Sequence, residues 1–77
     1  MGSKYPSLKA REVVRALERH GFRLKAQKGS HAKYTKHEDK KRRNVTVPIH
    51  NDDIDKGTLK QIIIQSGLTI DEFMGKL

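Results

Sequence analysis

The sequence predicts an α+β domain, in the order α-β-β-β-α(-α), with a three-stranded antiparallel sheet and the helices on one of its faces. Three observations predict it. Ala10, Val13, Val14 and Leu17 recur at helical spacing; apolar positions then alternate two apart between Phe22 and Val47, interrupted by turn-forming segments; and Thr69-Ile70-Asp71-Glu72 has the pattern of a capping box.

The first helix is expected over residues 8–20, capped by Ser7 and closed by His20-Gly21, a polar last turn followed by a glycine suited to the C′ position. The period then changes. Phe22, Leu24 and Ala26 alternate with Arg23, Lys25 and Gln27, which predicts a strand with the first three residues on its buried face. Lys28-Gly29-Ser30 turns the chain. On the returning strand Ala32 and Tyr34 share one face, and His31, Lys33 and Thr35 share the other. With Tyr34 in the core, His31 faces solvent.

A charged connection, His37-Glu38-Asp39-Lys40-Lys41-Arg42, is expected before a third strand, Asn44–Val47, ended by Pro48. An acidic loop, Asn51-Asp52-Asp53-Ile54-Asp55, precedes a helix carrying Leu59, Ile62 and Ile63 and stopping at Gly67, where negative charge suits the helix N-terminus. Of the run Ile62-Ile63-Ile64, one residue, Ile64, belongs at the edge of the core, because one narrow stripe cannot bury all three. A last short helix starts at the Thr69–Glu72 box, with Leu68 and Phe73 at the positions of a hydrophobic staple.

Composition bounds what such a domain can do. With 77 residues, 34% of them hydrophobic, residues 1–77 are expected to form a single domain with a thin core and a flexible stretch at 1–7. The absence of cysteine removes disulfides, thiolate nucleophiles and zinc–thiolate sites. The longest apolar run is three residues and there is no signal-peptide pattern, so no membrane association and a soluble, cytoplasmic protein are expected. Seventeen Lys and Arg against nine Asp and Glu give a net charge of +8. The charge is segregated: Arg23, Lys25, Lys28, Lys33, Lys36, Lys40, Lys41, Arg42 and Arg43 crowd the middle, while Asp52, Asp53, Asp55, Asp71 and Glu72 lie C-terminal. A polyanionic partner is therefore expected.

Within the basic region, Gly29-Ser30-His31-Ala32-Lys33-Tyr34 sets an imidazole directly after a tight turn and between Lys28 and Lys33. Imidazole titrates closest to neutrality of the unperturbed side chains, which makes His31 the first candidate for proton transfer on a polyanion. Tyr34 reads as a core aromatic, His20 as a residue interacting with a helix C-terminus and His37 as a solvated turn residue. None has the spacing of a metal site, and no metal or other cofactor is expected.

The order of these segments resembles the HicA family, the mRNA-cleaving toxins of type II toxin–antitoxin pairs. The resemblance is carried by His20-Gly21-Phe22, by Lys28 to Tyr34, by Val47-Pro48-Ile49-His50, by Lys56-Gly57-Thr58-Leu59-Lys60-Gln61-Ile62 and by Gly67-Leu68-Thr69-Ile70-Asp71-Glu72-Phe73. It runs from about Leu8 to Leu77, with departures in the N-terminal residues and in Lys40-Lys41-Arg42-Arg43. It implies a fold like the double-stranded-RNA-binding domain, a metal-independent endoribonuclease acting on single-stranded mRNA through His31, and neutralisation by a HicB-type antitoxin. The chain would be a monomer when free and part of a hetero-oligomer with the antitoxin.

Cleaving RNA without a metal requires a proton taken from a ribose 2′-hydroxyl, charge stabilised on the phosphorane and a proton given to the leaving 5′-oxygen. On this reading His31 acts as base or acid, and Lys28 and Lys33 hold the phosphate together with the turn amides of Gly29 and Ser30. The second proton carrier stays open: His50, in the loop after the third strand, could approach in space but reads rather as a loop hydrogen-bonder, and water or Lys33 could serve instead. Two alternatives belong to other classes. One is a non-catalytic RNA-binding module, although Asp52, Asp53 and Asp55 would repel phosphate where related duplex binders place lysines. The other is a basic adaptor docking an acidic protein.

Overall fold

The structure, a computed structural model, describes residues 6–50 and 53–75. Expectations for residues 1–5, and for Asn51 and Asp52 of the acidic loop, lie outside them. The chain opens with a short strand, β1 (Leu8–Lys9), followed by helix α1 (Ala10–Arg19). Leu8 and Lys9 are held extended because they pair antiparallel with Ile54 and Asp53 of β5 (Asp53–Ile54). The helix thus starts two residues later than its periodicity suggests, and Lys9 replaces Ser7 as N-cap, its amide donating to Glu12 Oε1 at 3.0 Å.

The other end of α1 forms a Schellman motif. Gly21 adopts φ 94°, its amide donates to the Glu18 carbonyl, and the Phe22 amide donates to that of Leu17. Because only glycine takes that backbone without strain, the motif fixes the direction in which the chain leaves the helix. It also buries the Phe22 side chain beneath it.

Three longer strands follow, β2 (Arg23–Lys28), β3 (His31–Glu38) and β4 (Lys41–Pro48), in spatial order β2-β3-β4 and all antiparallel. The predicted meander is present, with β3 at its centre. The expected charged connection shrinks to Asp39 and Lys40, and Asp39 takes φ 52°. His37, Glu38, Lys41 and Arg42 are strand residues, paired His37 with Arg42 and Glu38 with Lys41. A run of charge reads as loop, but an exposed hairpin end accommodates it equally well.

The expected burial of Leu24 and Ala26 is also corrected. Every residue of β2 is exposed, Leu24 at 52%. Two causes combine. A bulge at Lys25 shifts the register between Leu24, opposite Tyr34, and Ala26, opposite Lys33, so the two residues no longer share a face. In addition, α1 and α2 (Lys56–Ser66) pack over β4, leaving the edge strand β2 uncovered.

Helix α2 begins at Asp55, whose carboxylate accepts hydrogen bonds from the Gly57 and Thr58 amides, and ends at Gly67 in the left-handed conformation. The last helix, α3 (Ile70–Met74), starts at the predicted box: the Glu72 amide donates to Thr69 Oγ1 and the Thr69 amide to Glu72 Oε1. The sheet and the three helices enclose a core centred on Val13, Leu17, Phe22, Val45, Val47, Leu59, Ile62 and Phe73. Each large apolar side chain buried there contributes roughly 1.5–3 kcal/mol. Ile64 is 55% exposed, at the core's edge as expected. Tyr34 is buried, and burial first, then the charge of Glu18, pushes its phenol above the ordinary value. No helix among the described residues is long and apolar enough to cross a membrane.

Candidate functional site

The site is built from the turn between β2 and β3. Gly29, with φ 60°, and Ser30 connect Lys28 to the residue directly opposite it, His31. A positive φ at the first of two central residues marks the type II′ hairpin, whose twist matches that of the strands and which favours glycine there. Neither turn amide donates to a described residue.

On its other side His31 faces Pro48. The neighbouring ladder bond runs from the Ile49 amide to the Ser30 carbonyl, so His31 and Pro48 form a non-hydrogen-bonded pair. That position tolerates proline, because the missing N–H would have pointed to the open edge of β4. It also brings side chains closest, with Cα atoms about 4.5 Å apart. His31 is thus set between β2 and β4 and remains exposed.

Cross-strand partners lie on the same face, which defines the outer surface of the sheet. Alongside His31 it carries Lys33, Thr35 and His37 from β3, Lys28 and Arg23 from β2, and Thr46, Asn44 and Arg42 from β4. No carboxylate is paired on this face. Glu38 has the opposite parity and binds Arg43 at 2.6 Å; Asp53 binds Lys9 at 3.0 Å; Asp55 caps α2. The segregation of charge along the sequence becomes a segregation across the sheet, with the cationic side facing solvent.

The structure therefore brings Lys28, Gly29, Ser30, His31 and Lys33 together at one end of an open basic face. Arg23 and Arg42 extend that face and were not singled out from sequence. Their signal was the strand parity set by His31, carried across through the register of β2 and β4. The arrangement can place a phosphate against lysine side chains and turn amides beside an imidazole.

The remaining histidines separate by position. His20 Nε2 donates to the Glu72 carbonyl at 2.9 Å, so it meets the last turn of α3 rather than only its own helix end. His37 lies near the far end of β3, opposite Arg42. His50 is exposed just beyond β4 and lines a cleft with Lys9, Ala10, Arg11 and Ile49. Its side chain makes no hydrogen bond to a described residue, and its loop neighbours Asn51 and Asp52 lie outside the described residues. Among the described residues no three His, Asp or Glu side chains gather as potential metal ligands.

Residues 10–68 match the family model described as the HicA toxin of bacterial toxin–antitoxin. A search of curated proteins returns no match.

Proposed function

The chain belongs to the HicA toxin family, the toxins of bacterial toxin–antitoxin systems, and from that membership we propose that it is an endoribonuclease that cleaves mRNA. One observation carries the reading: an exposed histidine, His31, sits on a cationic sheet face on which no carboxylate is paired, directly across from Lys28. A single-stranded RNA backbone laid on that face meets Arg23, Lys28, Lys33 and Arg42. Carboxylates that would repel it are held elsewhere, by Lys9, by Arg43 and by the α2 cap.

In the proposed reaction the ribose 2′-oxygen attacks phosphorus. The P–O2′ bond forms, the P–O5′ bond breaks, and the products are a 2′,3′-cyclic phosphate and a 5′-hydroxyl. His31 moves one of the two protons, a role worth about 10²–10⁴-fold for a positioned group. Lys28, Lys33 and the amides of Gly29 and Ser30 hold the phosphate and stabilise the charge that develops on it. No metal is required by this scheme.

A HicB-type antitoxin is the proposed partner, and covering the basic face would neutralise the toxin by excluding RNA. Induced expression of the chain in a growing bacterium tests the reading. Growth arrest with loss of intact mRNA is expected, and His31→Ala abolishes both. Intact mRNA in cells that accumulate the wild-type chain would contradict it.

A further inference from the structure

One imidazole cannot readily take the 2′-proton and deliver another to O5′ in a single concerted step. Two positioned groups are needed, one on each side of the scissile phosphate. The fold narrows the candidates for the second. Of the four histidines, His20 is engaged with the Glu72 carbonyl on α3. His37 lies six positions along β3 from His31, roughly 20 Å away at strand rise. His50 is the histidine at His31's own end of the sheet.

Its placement follows from the register. Pro48 is His31's cross-strand partner, and the Ile49 amide is tied to the Ser30 carbonyl at the base of the turn. His50 follows immediately, two residues beyond the partner of His31. β4 ends at Pro48, and two residues of chain span at most about 7 Å, which bounds how far His50 lies from the partner of His31. The imidazole is exposed and makes no hydrogen bond to a described residue. The charged neighbours along the cleft are Lys9 of β1 and Arg11 of α1, with Lys28 and Lys33 on the side of His31.

We propose that His50 is the second proton-transfer residue, completing with His31 an acid–base pair across the end of the sheet. This inference rests on the ribonuclease reading. One imidazole accepts the 2′-hydroxyl proton as the P–O2′ bond forms. The other, protonated, donates to O5′ as the P–O5′ bond breaks, and the two end the step with exchanged protonation states.

The test uses the purified full chain and a short single-stranded RNA containing a site that the wild-type chain cuts. Single-turnover rates are measured across pH for wild type, His31→Ala, His50→Gln and His50→Asn, with RNA affinity and thermal midpoint recorded for each. His50→Gln and His50→Asn are expected to slow cleavage about 10²–10⁴-fold with affinity and folding unchanged. Each is also expected to remove one limb of a bell-shaped pH–rate profile.

A second substrate replaces the scissile 5′-oxygen with sulfur, a leaving group that needs no proton. It restores the rate in whichever variant lacks the acid, His31 or His50, and not in the other. Wild-type rates in both His50 variants, or slowing explained by weaker binding alone, would overturn the pair while leaving the ribonuclease reading intact. Failure of the wild-type chain to cut any RNA would overturn both.

Discussion

Lys28 and His31 face each other across the first hairpin, the pair that closes the Gly29-Ser30 turn, and their side chains share the outer side of the sheet. An ammonium so placed can hold the phosphate on which the imidazole acts. Lys28→Ala is expected to raise KM for RNA cleavage about tenfold, the worth of one charge-assisted contact, with a smaller change in kcat. The slope of log affinity against log salt should fall by about 0.7, the share of one phosphate contact on a single strand. Cleavage assays and RNA titrations at several salt concentrations check both, and an unchanged slope would remove Lys28 from the site.

Leu17 and Leu24 are the same residue in opposite surroundings. Leu17 is fully buried against the sheet, and Leu24 stands on the uncovered edge strand. Leu17→Ala is expected to cost about 2–5 kcal/mol, whereas Leu24→Ala should stay within about 0.5 kcal/mol. Urea denaturation of the two variants measures the contrast. Equal losses would mean that β2 is covered.

Asp55 satisfies two amides at the start of α2, Gly57 and Thr58. Asp55→Ala removes that cap and should cost about 1 kcal/mol, with Asp55→Asn recovering most of it. Denaturation midpoints at neutral pH give the comparison.

Glu72 carries a pH dependence on the acid side. Hydrogen bonds from the Thr69 amide and then the Thr69 hydroxyl, with His20 nearby, hold its carboxyl below the ordinary glutamate value of 4.5. Its ionised form is thus favoured in the folded state. The stability it lends is present above the unfolded value and is lost as pH falls through the folded one. Glu72→Gln should flatten the decline of stability below that value without changing its shape near neutrality. A variant whose acid decline matched wild type would show that the capping box does not act through charge.

Much of this fold is legible in the chain because its signals are local. The helical spacing of Ala10, Val13 and Leu17, the Gly29-Ser30 turn, the acidic residues ahead of the second helix and the Thr69–Glu72 box each act within a few residues. What escaped is non-local. Leu8 and Lys9 carry no strand pattern of their own, and their conformation is imposed by Asp53 and Ile54, which lie far along the chain. Alternation at Leu24 and Ala26 indicates which residues would share a face, but it contains neither the bulge at Lys25 nor the question of what covers the strand. The site divides similarly. His31, Lys28 and Lys33 lie within one hairpin, whereas Arg23 and Arg42 join them only through the register of the three strands.

The central claim is that His31 moves a proton in RNA cleavage, and its most direct measurement is the single-turnover rate of wild type and His31→Ala on one single-stranded RNA. A loss of about 10²–10⁴-fold is expected, with RNA affinity and folding preserved and a 2′,3′-cyclic phosphate as the wild-type product. A His31→Ala chain that cleaves at the wild-type rate would contradict it.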